Sequence, residues 1–305
     1  MNVPRITRRN LLLRAGAITA IAGMPRPLLA LAGLPASPDE ERLAAWVAKL
    51  RAEGLTAPDV AFGRAVIRAA ELAIGTPYEA ATLEAYLKNG GSPRREPLTI
   101  SLTRFDCVTL VEASIAVARL AVRPGAPAWA DFGREVERMR YRDGLRIGYA
   151  SRLHYFSEWI SDGSRRGLLS DLGRTFGGIR DERPLRFMTE HRDAYPALAD
   201  DAAFLEIGAM ERRLDGVPRY FIPRAALDDA ADCIETGDVV AFVTGIAGLD
   251  VTHAAFAWRD GRALRVLHAP LSGGVVEVTR TTLPEYVAAI RNCTGILVAR
   301  PLRAA

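Results

Sequence analysis

A chain of 305 residues, 49% hydrophobic and 25% charged, has room for one large domain or two small ones and the composition of an ordinary globular protein. Its net charge of +4 belongs to its start: five arginines (Arg5, Arg8, Arg9, Arg14, Arg26) and no acid precede Asp39, which leaves 35 of the 40 basic residues against 36 acidic ones. The remainder is close to neutral, so the charge gives no case for a nucleic-acid partner.

Residues 1–36 read as an export leader. They carry the Arg8-Arg9 pair, a weakly hydrophobic run of Ala, Leu, Gly and Ile, and small residues at Ala30 and Ala32. The Thr7-Arg8-Arg9 start, followed by Leu12 and Leu13, is similar to a twin-arginine signal. Cleavage after Ala32 or Ala36 and a periplasmic destination follow, with no membrane contact once the leader is removed. Pro25, Arg26 and Pro27 break the apolar run before it reaches the length of a membrane anchor.

A single domain is expected over 37–305. Residues 38–54 and 60–78 show helical spacing, the first ending at Gly54 and the second at the turn Gly75-Thr76-Pro77. NGGSPRREP is a loop. Residues 106–121 form a helix whose only polar stripe is Thr109, Glu112 and Arg119, so it should be largely buried. About 124–235, short helical pieces alternate with Gly-, Arg- and Asp-rich connections, as elaboration around a core. The last 70 residues are mostly strands: VVAFV, VTHAAFAW, ALRVLHA, GVVEVTR and, after a short helix at LPEYVAAIR, GILVAR. Helices first and a meander of strands later indicate an α+β fold.

Asp260-Gly261 lies between two β-rich runs and predicts a hairpin with a type I′ turn. That turn pairs Arg259 with Arg262 and, counting outward, His253 with His268, directly opposite on one face. Ala255 and Ala257 share that face and leave room for another element to approach. In a chain with four histidines, two in register stand out; His154 and His191 have no such arrangement and read as ordinary core or surface groups.

Cys107 stands where the polar turn TRFD becomes the buried helix. Three readings are open. As a nucleophile, its thiolate would be favoured by the helix N-terminus and by an imidazole, with the second histidine orienting the first. As a metal ligand, it would join His253 and His268 in a three-donor zinc site with one open position. As a structural residue, it would only fill core. Cys233 and Cys293 each lie just ahead of a strand-like run, and neighbouring strands would allow them to form a disulfide.

The motifs carry a resemblance. FDCVTLVEAS, GDVVAFV, LDVTHAAFA, VLHAPLSGGVVEV and the upstream GTPY together resemble the NlpC-type, papain-like cell-wall cysteine peptidase superfamily. The middle segments GYASRLHYFSEWISD and RFMTEHRDAYPAL are similar to its N-acetylmuramoyl-L-alanine amidase-like subgroup. The resemblance implies a papain-like fold with the nucleophile helix packed on a C-terminal antiparallel sheet. It implies Cys107 as nucleophile, His253 as base, His268 as the orienting residue and Tyr78 as an oxyanion or substrate contact. Asp106 is either a helix cap or a group that binds a substrate amine. Arg152, Tyr155 and Trp159 would bind a sugar ring or a peptide carboxylate. The implied reaction is hydrolysis of the amide between N-acetylmuramic acid and L-alanine in peptidoglycan or muropeptides, with no metal or organic cofactor. Three alternatives accompany it: a γ-D-glutamyl–diaminopimelate endopeptidase, a zinc-dependent amidase, and a non-catalytic cell-wall-binding module.

Overall fold

The first described helix, α1 (Pro38–Ala52), starts at a capping box, Ser37 and Glu40 each accepting from the other's backbone N–H. The computed structural model describes residues 36–270 and 274–303, so the leader lies outside them. The helices that follow are α2 (Phe62–Glu71), α3 (Ala85–Lys88), α4 (Cys107–Val122), α5 (Trp129–Arg140) and α6 (Phe156–Arg165). The middle segment adds β1 (Leu169–Asp171), β2 (Ile179–Asp181), α7 (Phe187–Glu190), α8 (Asp201–Arg213), β3 (Arg219–Pro223) and α9 (Leu227–Ala230). The C-terminal part is β4 (Val239–Thr244), β5 (Val251–Asp260), β6 (Ala263–His268), β7 (Glu277–Val278), α10 (Leu283–Ala289) and β8 (Cys293–Pro301). None of the described helices is long and apolar enough to cross a membrane.

The strands form an antiparallel sheet in the order β2-β3-β8-β4-β5-β6-β7, with β1 sharing the outer edge of β8. Side chains alternate between its faces. Val239, Ala241, Ala254, Phe256 and Leu297 pack against α1, α2, α4, α5 and α6; Val240, Phe242, Ala255, Ala257 and Ile296 pack against α9 and α10. The α+β expectation therefore holds. The middle segment has a core of its own around Tyr149, Tyr155, Met188 and Ile207.

Helix α4 runs through the centre. Its polar stripe turns inward instead of reaching water: Glu112 and Arg119 are 1% and 3% exposed. Glu112 accepts from Arg140 of α5 at 2.7 and 2.8 Å, and Arg119 lies 3.6 Å from Glu135 and donates to the Leu168 carbonyl at 2.6 Å. A periodicity count cannot separate a solvent stripe from a buried ion-paired one.

The hairpin register differs from the expected one. Asp260 pairs with Ala263 and Phe256 with Leu267, so the turn residues are Gly261 and Arg262. Gly261 has φ +59° and Arg262 is not left-handed, a type II′ turn that needs only its glycine in the unusual region. The type I′ alternative would have forced Asp260 there as well. Continuing the observed register puts His268 across from Ala255, two residues from His253. A slip of two preserves the face, so the histidines remain on the same side as diagonal neighbours.

Cys233 and Cys293 are free thiols, exposed and buried respectively. Their strands are neighbours, as the disulfide required, but antiparallel ones: Cys293 pairs with Thr244 at the far end of β4, whereas Cys233 precedes its near end. Two residues that each precede a strand end up at opposite ends of an antiparallel pair. The turn before β4 is held by close backbone approach. A Cβ on Gly237 (φ +93°) would meet the Gly63 carbonyl oxygen of α2 at 2.2 Å, so this position requires glycine. The following Asp238 is buried and paired with Arg300 at 2.8 and 2.9 Å.

Candidate active site

Cys107 is the first residue of α4. Its predecessor Asp106 is the N-cap: Asp106 Oδ1 accepts from Thr109 N–H at 2.7 Å, and Thr109 Oγ1 accepts from Asp106 N–H at 2.8 Å. Asp106 thus serves as a cap, and its carboxylate is tied to Thr109. Upstream, Tyr78 is brought beside Cys107 by backbone pairing. Phe105 N–H donates to Pro77 O at 3.1 Å, and Glu79 N–H donates to Phe105 O at 2.9 Å. The 29-residue separation of Tyr78 and Cys107 is closed by this bridge, and the Tyr78 hydroxyl is raised above its ordinary value by burial, then by the neighbouring Cys107 and Asp106.

The β5–β6 pairing extends only to Phe256, which leaves Val251–Ala254 without a partner on that side. Cys107 sits against this freed edge, where the N–H of Ala254 stabilises a charge on its sulfur. Ala254 is also the small residue that lets α4 come close, since it faces the helical core while Ala255 and Ala257 face α10. A bulge shifts the β4–β5 register between Phe242–His253 and Val243–Val251, leaving Thr252 unmatched immediately before His253.

His253 is stacked on Phe242 (centroids 5.6 Å apart, 12° between planes). Its Nε2 is 2.8 Å from His268 Nδ1. That contact engages Nε2 of His253 and leaves Nδ1 as its remaining ring nitrogen. His268 is 1% exposed, and Tyr286 of α10 meets it edge-on with its hydroxyl 3.4 Å from the same Nδ1. Tyr286 carried no signal in the sequence beyond membership of a short helix.

Electrostatics at the site favour neutral forms. Burial, followed by the Asp106 carboxylate, pushes the Cys107 thiol up to about 12, against the backbone N–H groups of Ala254, Val108 and Cys107 itself. Burial, followed by the His268 ring, lowers His253 to about 3; burial lowers His268 to about 4. A helix start and an imidazole were expected to lower the thiol. In the resting protein, desolvation and the cap carboxylate outweigh the backbone donors.

Cys107 and His253 line one cavity of about 150 Å³. Of the residues expected to bind substrate from the middle segment, only Trp159 lines it. Arg152 is 5% exposed and lies between Glu84 and Glu96 (3.3 Å to the latter), with its guanidinium over the Tyr149 ring. Its fork is therefore already engaged inside the protein. Tyr155 is 1% exposed and donates to Glu211 at 2.7 Å, so it belongs to the middle segment's core. His154, read as ordinary from the sequence, does line the cavity, and so does the buried Asp250. His191 bonds its own helix at Phe187 O, 2.8 Å.

A zinc site would draw on the same side chains. Metal ligands direct their lone pairs at one point. Here His253 Nε2 and His268 Nδ1 are directed at each other, and no cluster of three His, Cys, Asp or Glu among the described residues is arranged to hold an ion. The donor set does not fit a metal.

Comparison with known proteins agrees with a hydrolytic site. Residues 68–296 match the AmiA-like family model, described as N-acetylmuramoyl-L-alanine amidase-like. The crystal structure of an N-acetylmuramoyl-L-alanine amidase from Bacteroides uniformis is 29% identical, with a TM-score of 0.72 over 79% of this chain and 99% of that one. A candidate xylanase from Bacteroides fragilis is 33% identical, with a TM-score of 0.70 over 76% of this chain and 99% of that one. A Legionella pneumophila protein shares the fold at 19% identity, with a TM-score of 0.63 over 87% and 96%. No curated protein matches.

Proposed function

We propose a reaction from one premise: this chain belongs to the AmiA-like, N-acetylmuramoyl-L-alanine amidase-like family. Family and neighbours support a peptidoglycan amidase. The finer reading is a cysteine hydrolase, of NlpC-type kinship, that cuts the amide between the lactyl group of N-acetylmuramic acid and L-alanine. The observation that carries it is the 2.8 Å contact between His253 and His268 beside the cavity that Cys107 lines.

In this reading Cys107 Sγ attacks the lactyl carbonyl carbon as its proton passes to His253 Nδ1. To accept there, His253 must carry a proton on Nε2 and donate it to His268 Nδ1, which fixes the tautomer. The Tyr78 hydroxyl is a donor for the tetrahedral oxyanion. Collapse breaks the C–N bond, and His253 returns the proton to the leaving amine of L-alanine. Water, deprotonated by His253, then attacks the thioester and releases the lactyl carboxylate and the free thiol. Because thiol and imidazole are both neutral at rest, proton transfer accompanies the attack.

A glycosidase reading, raised by the xylanase-named neighbour, needs two carboxyl groups flanking the bond. Among the described residues the cavity wall has one carboxyl, Asp250, which already accepts from Ser157 N–H at 2.8 Å and Val251 N–H at 2.7 Å. The twin-arginine-like leader adds an exported, periplasmic setting to the proposal, where such a substrate occurs.

Mass spectrometry of the products from one defined muropeptide tests the choice of bond. Cleavage at the lactyl–alanine amide is expected. Cleavage after the γ-linked glutamate would replace this reading with the endopeptidase, and chelator-sensitive activity restored by zinc would replace the cysteine mechanism. A protein that binds the muropeptide without turnover would be a binding module.

A further inference from the structure

Four aliphatic side chains from separate stretches of chain converge on the cavity beside Cys107. They are Val108 in the first turn of α4, Leu153 ahead of α6, Leu249 in the turn before β5, and Val251 at the start of β5. Each is half-buried, so carbon surface is left open there. Open carbon surface in a concave site is what the apolar part of a ligand covers.

Charge contributes little to the same wall. Among the described residues no lysine or arginine lines it, and Asp250 is 3% exposed, with Ser157 N–H and Val251 N–H already donating to it. A carboxylate or ammonium side chain entering here would lose its hydration and find no free partner of opposite charge. A sugar ring fits no better, since its hydroxyls need partners that Val108, Leu153, Leu249 and Val251 do not have. An aliphatic side chain exchanges water for carbon and forfeits no hydrogen bond.

Size and place narrow the occupant. The cavity is about 150 Å³. An apolar cavity of that order admits a ring of about six carbons, which is more room than one methyl group needs. Its wall includes His253 with Val251 and Thr252 of the same strand, whereas Tyr78 does not line it. In the proposed reaction Tyr78 meets the carbonyl oxygen and His253 returns the proton to the leaving amine. The cavity thus adjoins the amine side of the scissile bond, where the nearest side chain is the one on the α-carbon of the leaving residue.

We propose that this cavity is an aliphatic side-chain subsite for the residue whose amine leaves, with room beyond the methyl of L-alanine. The proposal rests on the amidase reading, which sets the side of the bond that faces His253. Among substrates that differ only at this residue, preference rises with aliphatic length until the cavity is full.

Calorimetric titration of the Cys107→Ala protein tests this without turnover. The probes are N-acetylmuramoyl-X-D-isoglutamine, with X glycine, L-alanine, L-2-aminobutyrate, L-norvaline or L-aspartate, and the L-alanine probe with glycolyl in place of lactyl. Affinity should rise about fourfold for each carbon added from glycine to norvaline, the transfer value of one buried methylene. The L-aspartate probe should bind more weakly than the L-alanine one, and losing the lactyl methyl should matter less than losing the alanyl methyl. Leu249→Phe in the same background narrows the cavity and should lower the norvaline-to-glycine affinity ratio. A ratio is unaffected by a misfolded fraction, and the series with Leu249 intact stands without the variant. Affinity independent of X, affinity that follows the lactyl methyl instead, a ratio that Leu249→Phe does not lower, or no binding of any probe would each overturn the proposal. Failure of the amidase reading looks different: the wild-type protein would leave the L-alanine probe uncut while the dependence on X persisted.

Discussion

His253 and His268 meet through Nε2 and Nδ1 at 2.8 Å, although the hairpin does not place them directly opposite each other. The contact is diagonal across the strands, and the Tyr286 hydroxyl lies 3.4 Å from the same His268 Nδ1. In the proposed mechanism the contact between the two histidines holds a proton on Nε2 of His253 and so leaves Nδ1 basic. His268→Ala should lower kcat about 10²–10⁴-fold, the range of a positioned acid–base group, with KM little changed. His268→Asn, which keeps a short acceptor, should fall less. Steady-state kinetics on a muropeptide give both parameters, and an equal rise in KM would mean that His268 shapes the cavity instead.

Burial at the site sets a pH signature. With the thiol at about 12 and His253 at about 3, the resting pair is neutral across the middle of the pH scale. Thiolate absorbance near 240 nm attributable to Cys107, taken as wild type minus Cys107→Ala, should be absent at pH 7 and appear only in strong alkali. Protonation has the opposite sense for the histidines. Below their ordinary value of 6.5 the unfolded chain binds protons that the folded one refuses, so their contribution to stability is complete above 6.5 and is lost as pH falls toward 3–4. His253→Gln/His268→Gln should therefore unfold at a lower pH than wild type by circular dichroism. A strong thiolate signal at pH 7 would restore an ion pair like that expected from the sequence.

Arg152 is tested by separating stability from binding. Arg152 compensates the buried Glu96 carboxylate and also meets the half-buried Glu84, so Arg152→Met should cost about 3–5 kcal/mol in urea unfolding, the usual penalty for breaking a buried pair from one side. Folded Arg152→Met should keep its KM. A selective rise in KM in a protein of normal stability would return Arg152 to the substrate.

Trp159→Phe, by contrast, should leave stability intact. Removing an indole N–H that lacks a partner among the described residues relieves an unmet donor, about 1–3 kcal/mol, against a loss of ring area. The variant should melt no earlier than wild type. Earlier melting would show that the N–H is satisfied in the folded protein.

Local chemistry made much of this legible in the sequence. Asp106 before an apolar run announces a capped helix, and strand alternation places His253 and His268 on one face whichever even register the turn selects. What the sequence left open depends on which groups meet. The type II′ turn wins because only Gly261 takes a positive φ cheaply, a competition that Asp260-Gly261 alone does not decide. Arg152 had the chemistry of a substrate fork, but Glu84 and Glu96, 68 and 56 residues earlier, reach it first. His154 had no distinguishing neighbours in the chain; the fold sets its Nε2 on the Tyr149 carbonyl and makes it part of the cavity wall.

The central claim is that Cys107 takes the acyl group from the sugar side of the amide. Intact-protein mass spectrometry after rapid acid quench of a turning-over mixture reads this directly. The predicted result is one covalent adduct with the mass of the N-acetylmuramoyl group, located on the peptide that contains Cys107 and missing from Cys107→Ala. An adduct that also contains L-alanine and glutamate, or undiminished turnover by Cys107→Ala, would contradict it.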